Sequence, residues 1–541
     1  MNRKRQPIDT DALELGDPRT FQPQRVAASS NGMVATQHYL ATEAGVEMLA
    51  EGGNAIDAAV AAAVALGVVE PAASGLGGQT MMLIHTAEPR KTLAIDGSSR
   101  APNRANPDAF RGETSRLRGY SATTVPSTPA VLSYVLRRYG KLKWSRVLKP
   151  AIRFADEGYP VSQLQHSLTK RELKQFKQRS GGLLFLKNGT RPYPIGSTFK
   201  QPALAETLRQ LARHGSKDLY RGEIAEMIHH DMRTHGGLLH RDDLAHMPMP
   251  IERRPVSCRF EGLRVITFPP PGAGRTLVEM LNILSQFPAK RRDPDTPDGA
   301  ALLAHVIQQA YFDRHDRPYE PNYYGQVNDT KMLSEDYAKV VSGKIRRHLK
   351  RPPHSSGETT HLSVMDKEGN VVALTQSIER VYGSFEATPE LGFLYNNYMS
   401  AFEYEDIEHP YYLRPNSVPW ASVAPTIVFR GQRPWLVIGS PGSERIAPSI
   451  MQVILRLAKQ APYDAVAAPR LHCSLNGLVS LEASRMRSDI PPMLEQKGFT
   501  VKVRDAYSFY MGCVQLVCHE RKIFTGVADP RRDGAAGGPR S

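Results

Sequence analysis

The chain has 541 residues, 41% of them apolar and 23% charged, with a formal net charge of +15. The apolar share is ordinary for a globular protein, so a substantial core can form, either as several domains or as one large layered unit. The charge is uneven: residues up to 358 carry 50 basic and 36 acidic side chains, a net of +14, whereas residues 359–541 carry 19 and 18, a net of +1. A solvated basic surface accounts for this, as does steering of anionic substrates toward a cleft. No basic stripe interleaved with aromatics is present, so a nucleic-acid partner is not expected.

Residues 1–25 are polar and read as an arm. The first residues, Met1-Asn2-Arg3-Lys4-Arg5-Gln6-Pro7, are basic, but no apolar stretch follows them, and a cytoplasmic location is the expectation. From 32 to 158 come helices and strands rich in Ala and Val. The longest apolar run, 58–69, is too short to span a bilayer and reads as a buried helix, so no membrane partner is expected. Residues 120–126 form a loop before a helix at 130–139, and 163–245 read as mainly helical and charged. Val265-Ile266-Thr267-Phe268 is a short strand. The turn 269–276 then opens a helix at Leu277; it lacks the lysine and spacing of a phosphate loop and reads as a plain turn. The four cysteines, Cys258, Cys473, Cys513 and Cys518, show no metal-ligand spacing and read as core residues. No metal or organic cofactor is expected.

Residues 346–358 are basic, Pro-containing and rich in Ser and Gly, the composition of an exposed loop open to cleavage. A hairpin follows. Its first strand opens on Thr359-Thr360-His361, the turn is Asp366-Lys367-Glu368-Gly369-Asn370, and the return strand is Val371-Val372-Ala373-Leu374-Thr375-Gln376-Ser377. On its own this is an ordinary hairpin. Its sequence, however, resembles the self-cleavage site of the γ-glutamyltranspeptidase family. Further blocks resemble that family in the family's order. They are Glu51-Gly52-Gly53-Asn54-Ala55-Ile56-Asp57-Ala58-Ala59, Ser74-Gly75-Leu76-Gly77-Gly78, Pro425-Thr426-Ile427-Val428, Gly439-Ser440-Pro441-Gly442-Ser443 and Asp529-Pro530-Arg531-Arg532-Asp533-Gly534.

The resemblance implies an α/β (α+β) fold of the N-terminal-nucleophile hydrolase type, a four-layer αββα sandwich. It implies cleavage between Glu358 and Thr359 into a helix-rich large subunit, 26–358, and a β-rich small subunit, 359–541, which stay associated. Thr359 is then the nucleophile. A threonine hydroxyl needs a base, and a free α-amine, with an ordinary pKa of about 7.7–8.0, can serve. The backbone N–H groups of Gly442 and Ser443 are the implied oxyanion donors, with Ser443 in place of a usual glycine. Ser377 falls where relatives carry a threonine that bonds the nucleophile.

The implied donor pocket departs from the family. Ser98 stands at the usual arginine position, and Arg100, two residues on, either reaches the site from a shifted loop or lies on the surface. Of a paired serine motif Ser422 remains beside Ala421; Glu379 replaces an asparagine; Tyr398 and Ala401 replace groups that hold a substrate ammonium. The segment 402–420 is shorter than in lidded relatives. The implied function is an autoprocessed γ-glutamyltransferase or hydrolase acting on a small γ-glutamyl amide. The alternatives are an acylase for glutaryl, cephalosporin-type or poly-γ-glutamyl amides, and a binding protein without activity.

Overall fold

The computed structural model describes residues 24–110, 112–247, 249–319, 332–344 and 358–540. Fourteen strands build two sheets. From the part before Thr359 come β1 (Val26–Ser29), β2 (Gly32–Thr36), β3 (Gln79–Thr86), β4 (Lys91–Gly97), β5 (Ile251–Arg253), β6 (Val256–Phe260) and β7 (Leu263–Thr267). After it come β8 (Thr360–Asp366), β9 (Val371–Ser377), β10 (Thr426–Arg430), β11 (Arg433–Gly439), β12 (Gln515–Glu520), β13 (Ile523–Ala528) and β14 (Ala535–Gly537). One seven-stranded sheet has the order β1-β13-β12-β11-β10-β7-β6, the other β14-β2-β8-β9-β3-β4-β5. Both therefore mix strands from the two sides of the expected cleavage point, and every pairing within them is antiparallel.

The sheets stack face to face. Met33, Met81, Leu83, Met365 and Ala373 of one meet Ile266, Ile427, Val437 and Val517 of the other. The outer face of the second sheet is covered by helices α1 (Tyr39–Ala50) and α2 (Ala55–Val69). The outer face of the first is covered by α3 (Gly274–Ser285), α4 (Pro297–Asp316) and α5 (Ile446–Leu457). This is the four-layer αββα sandwich expected from the resemblance, with cores on both sides of each sheet. Each buried Val, Ile or Leu in these layers contributes about 1.5–3 kcal/mol.

Several family-like blocks turn out to be architecture. Asn54 caps α2, accepting from the N–H groups of Ile56 and Asp57, while Asp57 accepts from the Asn54 N–H at 2.7 Å. Asp57 also accepts from the N–H groups of Lys141 and Leu142. Asp366, at the hairpin turn, accepts from Ala55 N–H at 2.8 Å and from Asn370 N–H at 2.9 Å. One turn of the small half thus completes the start of a helix in the large half.

The observed elements differ from expectation mainly at their ends. The Ala-rich helix begins at Ala55, the helix after the glycine turn begins at Gly274, and the helix expected at 130 runs over Thr128–Tyr139 with Pro129 in its first turn. Residues 163–245 are helical in several pieces, including Gln163–Arg171, Pro202–His214 and Glu223–Thr234. All four cysteines are free, with Cys473, Cys513 and Cys518 buried. The expected loop over 346–357 and residues 1–23 of the expected arm 1–25 lie outside the described residues; the arm's last two residues are bonded to the body, Arg25 Nη1 donating to the Asp529 and Gly534 carbonyls at 3.0 and 2.9 Å. Glu358, at the end of that loop, is buried. Among the described residues no helix is long and apolar enough to cross a membrane.

Candidate active site

The three residues that open β8 point three ways. Thr359 faces a cleft, and the Thr360 hydroxyl donates to Glu70 Oε2 at 2.5 Å. His361 sits between the sheets, its Nδ1 2.8 Å from Thr375 Oγ1 and its Nε2 3.1 Å from Ser363 Oγ. Burial lowers its pKa to about 3, so it is a neutral core residue. It occupies the space above Gly439, where a Cβ would lie 2.2 Å from its ring.

Register brings Ser377 to Thr359. Thr360 pairs with Gln376, so the last residue of β9 lies beside the residue before β8. The Thr359 hydroxyl is 3.5 Å from Ser377 Oγ, and Ser377 donates to the Glu358 carbonyl at 2.6 Å. Ser377 Oγ also accepts from Glu379 N–H at 2.8 Å, while Glu358 N–H donates to the Glu379 carbonyl at 2.5 Å. The peptide joining Glu358 to Thr359 is therefore held from the β9 side by main chain and hydroxyl together.

Behind it lies Arg532. Its Nη2 donates to Glu358 Oε2 at 2.5 Å, and its Nη1 to the Thr359 carbonyl, Gln37 Oε1 and Glu70 Oε1 at 3.3, 3.1 and 3.3 Å. Burial works against the guanidinium's charge, but Glu358 and Glu70 outweigh it and its pKa rises. Burial pushes the Glu70 carboxyl up to about 7, against the pull of Arg532 and Thr360.

Gly442 and Ser443 end the connection from β11 to α5 with φ of 118° and 53°. Gly442 needs its missing side chain there, and Ser443 adopts the left-handed conformation despite a cost of about 1–2 kcal/mol. Ser443 lines the cleft with Thr359. Among the described residues neither the Gly442 nor the Ser443 N–H has a hydrogen-bond partner.

The cleft, about 940 Å³ including open solvent, also takes in Glu379, Tyr398, Ala401 and Ser422. Glu379 has a positive φ, 78°, and burial raises its carboxyl to about 7 against the opposing pull of Arg380. Tyr398 is buried, and burial followed by Glu379 pushes its phenol far up, so it stays protonated. The neighbouring asparagines are structural: Asn396 joins Thr124 to the Gly77 carbonyl, and Asn397 accepts from Arg380 N–H.

Arg100 is not brought to this cleft. Its main chain bridges Val125, its Nη1 donates to the Asn416 carbonyl at 3.1 Å, and it lines a separate cavity with Asn103, Asp243 and His246. Ser98 is turned toward Asp96, donating at 2.6 Å, and Asp96 pairs with Arg253. The expected substrate contact at Arg100 is thus corrected: the Asp96 pairing and the Val125 bridge direct this stretch away.

Other residues line the cleft that sequence reading passed over. Arg380 adds a guanidinium to the wall beside Glu379. Trp420 stacks with His315 at 5.3 Å and 16° and with His409 at 6.2 Å and 17°, and Tyr411 lies 4.8 Å away. His315 Nε2 is 3.2 Å from Glu444 Oε1. Arg380 was visible as the residue following Glu379; the aromatic wall gathers distant segments and carries no local signal. Among the described residues no group of three or more His, Cys, Asp or Glu side chains is placed to hold a metal ion.

Two stacked antiparallel sheets between helices, with a threonine at the head of a central strand facing a cleft, define an N-terminal-nucleophile hydrolase. Residues 41–538 match the family profile described as Gamma-glutamyltranspeptidase. The chain is 33% identical to the Glutathione hydrolase proenzyme of Escherichia coli, with 94% of this chain and 92% of that protein aligned. It is 31% identical to the Acylase ACY 1 proenzyme of a Pseudomonas species over 85% of each. The crystal structure of cephalosporin acylase from Bacillus halodurans superimposes with a TM-score of 0.87 at 29% identity, covering 96% of this chain and 98% of that one. The chain belongs to the γ-glutamyltranspeptidase family and is an enzyme of that type.

Proposed function

We propose that the chain cuts itself between Glu358 and Thr359 and that the freed Thr359 then transfers the acyl group of a γ-glutamyl or related amide to water or an amine. One observation carries this reading. The Ser377 hydroxyl donates to the Glu358 carbonyl at 2.6 Å while lying 3.5 Å from the Thr359 hydroxyl. It therefore polarises the carbonyl that Thr359 attacks. In the first step a bond forms between Thr359 Oγ1 and the Glu358 carbonyl carbon. The bond from that carbon to the Thr359 nitrogen breaks, and the hydroxyl proton ends on the nitrogen. Water then hydrolyses the ester, leaving a carboxylate on Glu358 and a free amine on Thr359. The two pieces, 26–358 and 359–541, stay together because each sheet draws strands from both.

In the mature enzyme the Thr359 amine acts as base, and the Gly442 and Ser443 N–H groups receive the oxyanion. Ser377 returns its hydroxyl to Thr359 Oγ1. Tyr398 and Ala401 offer no anion to a substrate ammonium, and a buried ammonium without a partner is costly. Glu379 is an acidic group on that wall. Arg380 offers a cation to a substrate carboxylate, and the Trp420 wall offers apolar area to a bulky group. These features favour acyl groups that carry a carboxylate but no free α-amine, as in glutaryl amides, over free γ-glutamyl groups. The test is a panel of donor amides on purified protein, after denaturing gels have checked for two fragments of roughly 40 and 20 kDa. Turnover of glutaryl amides above γ-glutamyl amides supports the preference; family-like turnover of γ-glutamyl amides alone defeats it. A wild-type chain that stays whole defeats the cleavage reading.

A further inference from the structure

The bond before Thr359 is gripped on both sides by one guanidinium. Arg532 Nη2 holds the Glu358 carboxylate at 2.5 Å, while Nη1 reaches the Thr359 carbonyl at 3.3 Å. The contacts straddle the peptide that is to break. Arg532 is itself fixed from three directions: Gln37 Oε1 at 3.1 Å, Glu70 Oε1 at 3.3 Å, and the Phe509 ring 4.3 Å below the guanidinium. Glu70 is braced in turn by the Thr360 hydroxyl at 2.5 Å. Glu358 and Arg532 are only 5% and 4% exposed. They border a pocket of about 430 Å³, open solvent included, that shares no lining residue with the Thr359 cleft.

Burying a carboxylate and a guanidinium costs several kcal/mol per ion before their attraction is counted, so such a pair adds little net stability. What it does supply is geometry. Attack by a hydroxyl on the carbonyl of the preceding residue needs the reacting atoms held about 3–3.5 Å apart. An extended strand end that is free to turn does not hold that arrangement. Fixing the Glu358 side chain and the Thr359 carbonyl to one rigid fork restrains the backbone on both sides of the bond. Ser377 and the Glu379 carbonyl complete the restraint from the other face.

We infer that Arg532 is a positioning residue for self-cleavage, acting through its pair with the Glu358 carboxylate, which makes an acceptor side chain at 358 a requirement of the cut. The inference rests on the cleavage reading above. Once the bond is broken, Glu358 is the end of the other piece, so the clamp serves a reaction that each molecule performs once.

The test follows the appearance of the two fragments from pulse-labelled full-length chains. Arg532→Met and Glu358→Ala are each expected to slow the cut about 10- to 100-fold. The double variant is expected to be no slower than the slower single, because both remove the same contact. Glu358→Gln keeps an acceptor for Nη2 and is expected to recover most of the rate lost in Glu358→Ala. Melting temperatures of the same substitutions, measured in an uncut Thr359→Ala background, separate slow cutting from poor folding. Wild-type cutting by Glu358→Ala, or a double variant whose slowing is the product of the two singles, overturns the inference. A wild-type chain that never cuts overturns the cleavage reading instead.

Discussion

Thr359 sits at the shared end of β8 and β9, whereas loop-borne groups line much of the far wall of the cleft. Near Thr359, Ser377 and Glu358 are tied to one another by register and main-chain bonds at the shared end of β8 and β9. On the far wall, Trp420, His409 and Tyr411 come from the stretch after Tyr398, and His315 comes from the last turn of α4. A ladder of hydrogen bonds fixes a reacting atom to within a fraction of an ångström, while loops are free to change what they present. The difference separates how the reaction is done from what it is done to. It also explains why relatives with different names share this fold.

The sharpest way to break the comparison is Thr359→Ala, which is expected to abolish both the cut and all turnover while leaving the melting temperature nearly unchanged. A cut chain in that variant would place the nucleophile elsewhere. Next is Ser377→Ala, which removes the donor to the Glu358 carbonyl. It is expected to slow self-cleavage about 10²–10³-fold, the effect of losing one oxyanion donor. Within the cleft, Arg380→Met is expected to lower kcat/KM about 10- to 100-fold for donors whose acyl group bears a carboxylate, the worth of one hydrogen bond to a charged group. Neutral acyl amides should be nearly unaffected; equal losses for both would remove Arg380 from substrate recognition.

The smallest effect concerns Glu379, whose carboxyl is raised by burial from 4.5 to about 7. A carboxyl with a raised folded-state pKa keeps a proton that the unfolded chain has released, so stability falls as pH climbs through that window. Its ionisation penalty is complete above pH 7. Glu379→Gln should therefore gain about 1–3 kcal/mol over wild type at pH 8 relative to pH 5, read from melting curves at the two pH values. A difference that does not change with pH would mean that Glu379 is better solvated than its position at the cleft wall implies.

Much of the fold and of the reacting end was legible in the chain. The hairpin carries its turn chemistry in Asp366, Gly369 and Asn370, and α2 announces itself by Asn54, Asp57 and an Ala-rich run. The layers followed from resemblance, since neither alternation nor helical period says which sheet stacks on which. Arg100 misled because two residues of spacing say nothing about direction. Only the Asp96–Arg253 pair and the bridge to Val125 show that the strand end turns away. Arg532 was visible only as part of a C-terminal block, 174 residues from the carboxylate it holds.

Local order was thus written in the sequence: capping residues, turn residues, apolar periodicity, and the threonine that heads a strand, all governed by interactions within a few residues. Tertiary structure decided the rest. It closed Arg532 over the bond before Thr359, sent Arg100 elsewhere, and gathered Trp420, His315 and Arg380 around one cleft. Those are contacts between segments far apart in the chain, and their geometry depends on how whole layers pack, which no short stretch of residues encodes.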